Sequence, residues 1–291
     1  MIAVGQLRSR RAFGRRFRSA GPLTYVFLAL VAAGSAFPLY WSLVVASHDN
    51  SAISAYPPVL TPGHMLWHNV RRVFDSGEVN IDFWAALANS AIVSGAIAAS
   101  VVFFSALAGF AFAKLRFRGR KALLLTVVGT MLVPVQLGVI PLYIEMVKFG
   151  WANHLHAVIA PNLASAFGVF LMRQYIVGAV PDELIDAARV DGCHTARVFW
   201  HVVLPAVRPA AAVLGLLTFM MAWNDFFWPL IVLTPQNPTV QVAISTLQSG
   251  YVQDYALVLA GTFVSILPLL FVFLVLGRHI ISGIMRGAVK G

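Results

Sequence analysis

The chain has 291 residues, of which 59% are hydrophobic and 11% charged, with a mean hydropathy of +0.80 and a formal net charge of +10. Soluble domains carry about one quarter charged residues, so water is not the main solvent of this chain. A single cysteine excludes a disulfide framework or a Cys-rich metal site, and the basic clusters lack the interleaved aromatics of a nucleic-acid surface.

Residues 1–22 form a basic N-terminal segment expected in the cytoplasm. A helix needs about 20 apolar residues to cross a core of roughly 30 Å. Six stretches qualify, near 23–46, 85–109, 122–147, 155–178, 206–232 and 256–278. An Arg-rich start followed by an apolar run to Ala33-Gly34-Ser35-Ala36 also fits a cleaved signal peptide. The run continues through Pro38-Leu39-Tyr40-Trp41 to Val45-Ala46, too long for a signal and with aromatics where an interfacial belt sits, so a retained anchor is expected. With the N-terminus inside, 18 of the 21 Lys and Arg fall on cytoplasmic segments, and only Arg71, Arg72 and Lys148 fall outside. The positive-inside rule therefore puts both termini in the cytoplasm, the second within a tail at 279–291. The largest extracytoplasmic loop is 47–84, with another at 233–255; neither can build a core of its own.

No phosphate-binding glycine motif and no His-Glu-x-x-His metal motif is present, so the chain is not expected to be an enzyme or to bind a cofactor. His64 and His68, and His154 and His156, are closely spaced but lack a carboxylate or thiol at ligand spacing, which makes them interfacial polar residues. Two places carry polar groups inside apolar spans. Gln136 lies between Pro134 and Pro141, in a span expected to kink, where its amide either lines a pathway or bonds a neighbouring helix. Asn224 and Asp225 lie in the fifth span, where a carboxylate must face a cavity or a partner helix. They line a path or gate, or they are structural. The adjoining Trp223, Phe226, Phe227 and Trp228 read as an interfacial belt, with stacking on a sugar face as the alternative.

Residues 181–205 differ from everything around them. Pro181 suits a first helical turn, and Asp182, Glu183 and Asp186 complement the positive end of the helix dipole. Leu184, Ala187 and Ala188 form one face. Asp191-Gly192 supplies a turn in which glycine takes positive φ. Thr195 is expected to cap a second helix with Val198, Phe199 and Val202 on one face, which Pro205 interrupts. Cys193 is expected to be exposed until a partner covers it.

Asp186-Ala187-Ala188-Arg189-Val190-Asp191-Gly192, followed by Leu204-Pro205, resembles the EAA loop of membrane subunits in binding-protein-dependent ABC importers. Ala111 to Arg120, Trp223-Asn224-Asp225-Phe226 and the terminal Gly287-Ala288-Val289-Lys290-Gly291 extend the resemblance to carbohydrate-importer permeases of the maltose-permease type, and to the second of their two paired permeases. Asp186 stands where that family usually has Glu, which keeps the charge and shortens the reach. The resemblance implies an all-α type I ABC importer permease fold in a bacterial cytoplasmic membrane. It further implies a second, homologous permease, an extracytoplasmic solute-binding protein that delivers a sugar or oligosaccharide, and two cytoplasmic ATPases holding ATP and Mg. The 181–205 loop would couple to those ATPases through Asp186, Ala187, Ala188, Asp191, Gly192, Cys193, Leu204 and Pro205, and the 287–291 tail would reach between them. A polyol or glycerol phosphate is the alternative cargo. A self-sufficient channel or secondary transporter would have no docking loop and would usually show inverted repeats, which are not found here.

Overall fold

Lipid offers the backbone no hydrogen-bond partner, so a chain this apolar must satisfy its own N–H and C=O groups, in helices or a closed barrel. The computed structural model describes residues 21–53, 56, 58–75, 77, 81–248 and 254–288, and these are helical with no strand among them. In chain order, α1 is Pro22–Ala46, α2 Asn50–Ile53, α3 Leu66–Phe74 and α4 Phe83–Lys114. Then come α5 (Arg120–Gly129), α6 (Val139–Lys148), α7 (Leu155–Ile159), α8 (Ala166–Ala179) and α9 (Asp182–Val190). The remainder are α10 (Thr195–Val198), α11 (Leu204–Trp223), α12 (Phe227–Val232), α13 (Val240–Leu247) and α14 (Tyr255–Ala288).

Four helices are long and apolar enough to cross a membrane alone: α1, α4, the continuous helix Thr195–Trp223, and Tyr255–Val275 of α14. The other two expected spans are broken. Arg120–Leu132 meets Val135–Lys148 at 89°, and Leu155–Asn162 meets Ala166–Ala179 at 43°. Taking each bent pair as one span gives six. The third span bends at Val133-Pro134, because proline disfavours helical geometry in the residue before it. Pro141, in the first turn of α6, removes only an N–H that has no helical partner anyway.

Three boundaries depart from expectation. The fifth span begins at Thr195, because Pro205 does not stop the helix: a π-helical turn, Phe199–Val203, leads directly into α11, with Pro205 in its first two positions. A widened turn removes the clash between the proline ring and the preceding carbonyls. The same span then breaks at Asn224-Asp225-Phe226, before α12. Finally, α14 continues past 278 through Gly287 and Ala288, while Val289, Lys290, Gly291 and residues 1–20 lie outside the described residues.

α4 is the central post, with α8 and α11 packed along it. Two glycines set the α4–α8 approach. A Cβ on Gly109 would lie 2.8 Å from the Arg173 backbone nitrogen, and one on Gly168 would run into the Ser105 hydroxyl. Small residues at such crossings allow the close backbone approach that membrane helices depend on. One buried cluster joins α4, α8, α11 and α12 to the 181–205 loop through Ile185, Ala188, Val198 and Phe199. A second, at the opposite end, joins α1, α3, α4, α11, α13 and α14 around Phe83 and Trp223. The outer surface is apolar, as a lipid-facing surface must be: Leu132, Leu125 and Leu274 are 87%, 71% and 76% exposed.

Between the spans, polar side chains tie backbone ends together. Buried Asn69 of α3 donates to Ala46 O at 2.9 Å and His48 O at 2.7 Å, and Arg72 pairs with Asp254 at 2.8 Å. Asn153, in left-handed conformation, accepts from Thr234 N and Oγ1. Asn237 links Asn153 to Asn89. His64 and His68 are exposed, His154 and His156 face each other at 5.1 Å, and among the described residues no three His, Cys, Asp or Glu converge on a metal position.

Candidate functional site

The 181–205 loop is a helix, a sharp turn and a second helix. Asp182 and Glu183 occupy the first turn of α9 and Arg189 the last, so charge follows the helix dipole at both ends. The turn is a Schellman motif: Cys193 N donates to Ala188 O at 2.9 Å and Gly192 N to Arg189 O at 3.0 Å. It requires a left-handed residue after the cap, and Gly192 has φ 77. The motif also explains Cys193. The residue after the glycine packs back on the helix, so Cys193 is half-buried against the core and not exposed as expected. His194, not Thr195, caps α10, accepting the Arg197 amide on its ring at 3.4 Å.

Ile185 and Ala188 seat α9 on the core, while Asp186, Ala187, Asp191 and Gly192 face outward with Leu184 and Val190, the last 88% exposed. Asp186 pairs with Arg189 at 3.7 Å. Leu204 and Pro205 lie away from this face, at the start of α11. The loop therefore offers an acidic and apolar outer face, with an inner face belonging to the same packed body as the spans.

One ion pair, which sequence reasoning missed, fixes the start of α9. Lys114 Nζ, at the end of α4, donates to Asp182 Oδ1 at 2.6 Å, with side-chain exposures of 7% and 81%. Lys114, by hydrogen bond and charge, holds the Asp182 carboxyl below the usual carboxylate range, and Arg116 adds to the effect. The folded-state pKa is depressed, so the pair contributes above the ordinary carboxylate pKa of about 4 and is lost as pH falls through the lowered value. At neutral pH it is intact. Reversing one charge, Lys114→Glu or Asp182→Lys, is expected to lower activity about two- to fivefold, and exchanging the two residues should recover most of it in the same assay.

The second feature lies inside the membrane-spanning region. A cavity of about 790 Å³ is lined by Gln136, Asn162, Ser165, Thr218 and Asp225 together with Ile97, Val101, Phe167, Leu214 and Met221. Its position follows from the broken spans. Gln136 sits just beyond the 89° bend, Asn162 and Ser165 flank the 43° bend, and Asp225 is in the break between α11 and α12. Irregular backbone at membrane depth is tolerated where it lines a cavity or is buried in protein, and here three breaks meet at one cavity. Asp225 is half-buried and lines the cavity. Asn224 is not part of the lining: its side chain is exposed and donates to Met220 O at 2.8 Å. Trp223 and Trp228 are buried and donate to Ser265 O and Ala157 O, so they are core residues and not belt residues. Asn162 and Ser165 had a readable signal in Pro161-Asn162 and in Ser165 as a cap, which accepts the Gly168 amide at 3.2 Å. Thr218 had none.

A family model for binding-protein-dependent transport system inner membrane components matches residues 102–284. The chain belongs to that family. Among curated relatives, it is 31% identical over 279 residues to the arabinooligosaccharides transport system permease protein AraQ of Halalkalibacterium halodurans, covering 92% of this chain and 94% of that one. It is 34% identical over 267 residues to the lactose transport system permease protein LacG of Rhizobium radiobacter, covering 91% and 95%. It is 31% identical over 256 residues to the sn-glycerol-3-phosphate transport system permease protein UgpE of Yersinia pestis, covering 86% and 90%. A chain in the crystal structure of a bacterial ABC transporter involved in the import of the acidic polysaccharide alginate shares the fold, with TM-score 0.74 and 23% identity over 93% of this chain and 97% of that chain. This inner membrane component is thus a multi-pass helical transport permease of the ABC importer type.

Proposed function

We propose that this permease forms half of the transmembrane pathway of an ATP-driven importer for a neutral sugar or oligosaccharide, with both termini in the cytoplasm. A homologous permease would supply the other half. Two cytoplasmic ATPases, which hold the ATP and Mg, would grip the 181–205 loop, and a solute-binding protein would deliver cargo from outside. The substrates for which the relatives are named, arabinooligosaccharides, lactose and glycerol 3-phosphate, divide into neutral and anionic classes. The observation that favours a neutral cargo is the cavity lining, which among the described residues offers one carboxylate, two amides and two hydroxyls and no Lys, Arg or His. Sugar hydroxyls can donate to Asp225 and exchange hydrogen bonds with Gln136, Asn162, Ser165 and Thr218, whereas a phosphate would meet the Asp225 carboxylate with no compensating cation on this side.

The packing also supports a mechanism. Because Ile185, Ala188, Val198 and Phe199 share one buried cluster with α4, α8 and α11, movement imposed on the loop is carried to the helices around the cavity as a rigid body. Closure of the ATPases would thereby turn the cavity from one side of the membrane to the other, and ATP hydrolysis would reset it. The 287–291 tail would reach between the ATPases.

Removing a charge-assisted hydrogen bond of roughly 1.5–3 kcal/mol should lower uptake by about an order of magnitude or more in Asp225→Ala, with assembly and basal ATPase activity near wild type. A complex that no longer assembles would assign Asp225 a structural role instead. Orientation is checked separately with an impermeant thiol reagent on intact cells, after Cys193→Ala removes the native thiol. Gln236→Cys, exposed between α12 and α13, should react and Arg118→Cys should not; the reverse pattern overturns the orientation.

A further inference from the structure

At the cytoplasmic end of α4 two neighbouring hollows differ sharply in character. One, of about 770 Å³, is charged and lined by Lys114, Arg116, Arg120 and Arg189 with Asp182 and Asp186. The acidic residues are already engaged, Asp182 with Lys114 and Asp186 with Arg189. Among the described residues no carboxylate lies within ion-pair distance of Arg116 or Arg120. Arg120 gives one N–H to Leu115 O at 3.0 Å, and the rest of its guanidinium donors remain available. The other hollow, of about 350 Å³, is apolar and is lined by Phe103, Leu107, Phe110, Phe199 and Trp200. Leu115 lines both.

The apolar hollow follows α4 from Ala111 back to Phe103, a length of about 12 Å at 1.5 Å per residue. That is most of the depth of one leaflet, half of a roughly 30 Å hydrocarbon core. A free anion would use only the charged hollow and a neutral lipid only the apolar one. An anionic head joined to a hydrocarbon tail satisfies both, and such lipids concentrate in the cytoplasmic leaflet, where clustered Lys and Arg attract them. The walls come from two parts of the molecule: Phe103 to Arg120 run from α4 through its connector to the first residue of α5, whereas Arg189, Phe199 and Trp200 belong to the 181–205 loop.

We propose that this paired hollow binds one anionic phospholipid of the cytoplasmic leaflet, with its head on Arg116 and Arg120 and a chain against Phe103, Leu107 and Trp200. The lipid bridges α4 and the loop, so its occupancy sets how firmly the loop is held. The site rests on the cytoplasmic orientation of the 114–121 connector but not on the identity of the cargo.

The test is native mass spectrometry of the purified importer with its ATPases attached, titrated with dioleoyl phosphatidylglycerol or dioleoyl phosphatidylcholine. One phosphatidylglycerol should be retained in preference to phosphatidylcholine. At about fivefold per cation near a lipid surface, Arg116→Gln/Arg120→Gln should weaken it about 30-fold, while Arg116→Lys/Arg120→Lys, which keeps the charge, should retain most of the affinity and serve as the folding control. Equal retention of the two lipids, or an unchanged double Gln variant, overturns the proposal. So does equal retention of dihexanoyl phosphatidylglycerol together with displacement by millimolar inorganic phosphate, which would make the hollow a simple anion site. Binding that occurs only after the ATPases are stripped away would assign the hollow to the docking face and also overturns it. None of these readouts depends on which solute is carried, so failure here leaves the neutral-sugar reading standing.

Discussion

Gly192→Val should abolish most ATP-driven uptake while leaving the permease in the membrane. The cause is the backbone alone, since a Cβ at Gly192 would meet nothing within 4 Å. Its φ of 77 is the left-handed conformation on which the Schellman turn depends, and a β-branched residue held there costs about 1–3 kcal/mol. The chain can relieve that strain only by abandoning the Gly192 N to Arg189 O and Cys193 N to Ala188 O hydrogen bonds. α9 would then no longer meet α10 at a fixed angle, and the outward face of Asp186, Ala187 and Val190 would be misdirected. Uptake is expected to fall about tenfold or more, on the basis that two conformers separated by that strain differ about tenfold in population. Gly192→Asn supplies the control, because Asn tolerates the left-handed region. Uptake and ATPase co-purification should be near wild type in Asn and low in Val. Equal loss in both would mean that the absence of a side chain, and not the backbone angle, is what the position requires.

The sequence made the apolar segments legible because crossing lipid imposes a length and a composition, and both survive any packing arrangement. α1 begins and ends within a residue of the expected 23–46. The EAA-like run was legible for a related reason: Asp191-Gly192 carries its turn chemistry locally. What was not legible depends on contacts remote in sequence. Local rules count the missing N–H of Pro205 as a stop, but the π turn at Phe199–Val203 absorbs it without ending the helix. Nothing nearby in sequence covers Cys193, which predicts exposure, yet the turn itself folds it onto the core. By local rules Pro134 and Pro141 are equivalent kink sites; the helix boundaries place one at a break and the other in a first turn. Gln136 and Asp225 stood out as polar groups in apolar runs, and both line the cavity. Asn224 stood out by the same rule and does not, because a helix break directs adjacent residues to different sides.

The α4–α8 crossing gives the other large expected effect, and it separates two kinds of close approach. A Cβ on Gly168 would run into the Ser105 hydroxyl, then lie 3.2 Å from the Ser105 Cβ and 3.3 Å from a Leu214 methyl. A Cβ on Gly109 would meet the Arg173 backbone nitrogen at 2.8 Å and the Met172 Cβ at 2.9 Å. Overpacking of this kind typically costs about 1–3 kcal/mol, so Gly168→Ala and Gly109→Ala should each lower the thermal stability of the detergent-solubilised complex, with Gly168→Val losing assembled protein altogether. The obstruction at Gly168 is chiefly a side chain. The Ser105 hydroxyl is buried with no hydrogen-bond partner among the described residues, so removing it forfeits no bond seen there, and Ser105→Gly should restore most of the stability lost in Gly168→Ala. The obstruction at Gly109 includes backbone, which no trimming removes, so Met172→Ala should leave Gly109→Ala as unstable as before or worse. Fluorescence-detected size-exclusion after a temperature series reads both outcomes. Rescue at Gly109, or failure of rescue at Gly168, would show that the two helices are free to slide apart and that α4 is not the fixed post against which the loop and the cavity are positioned.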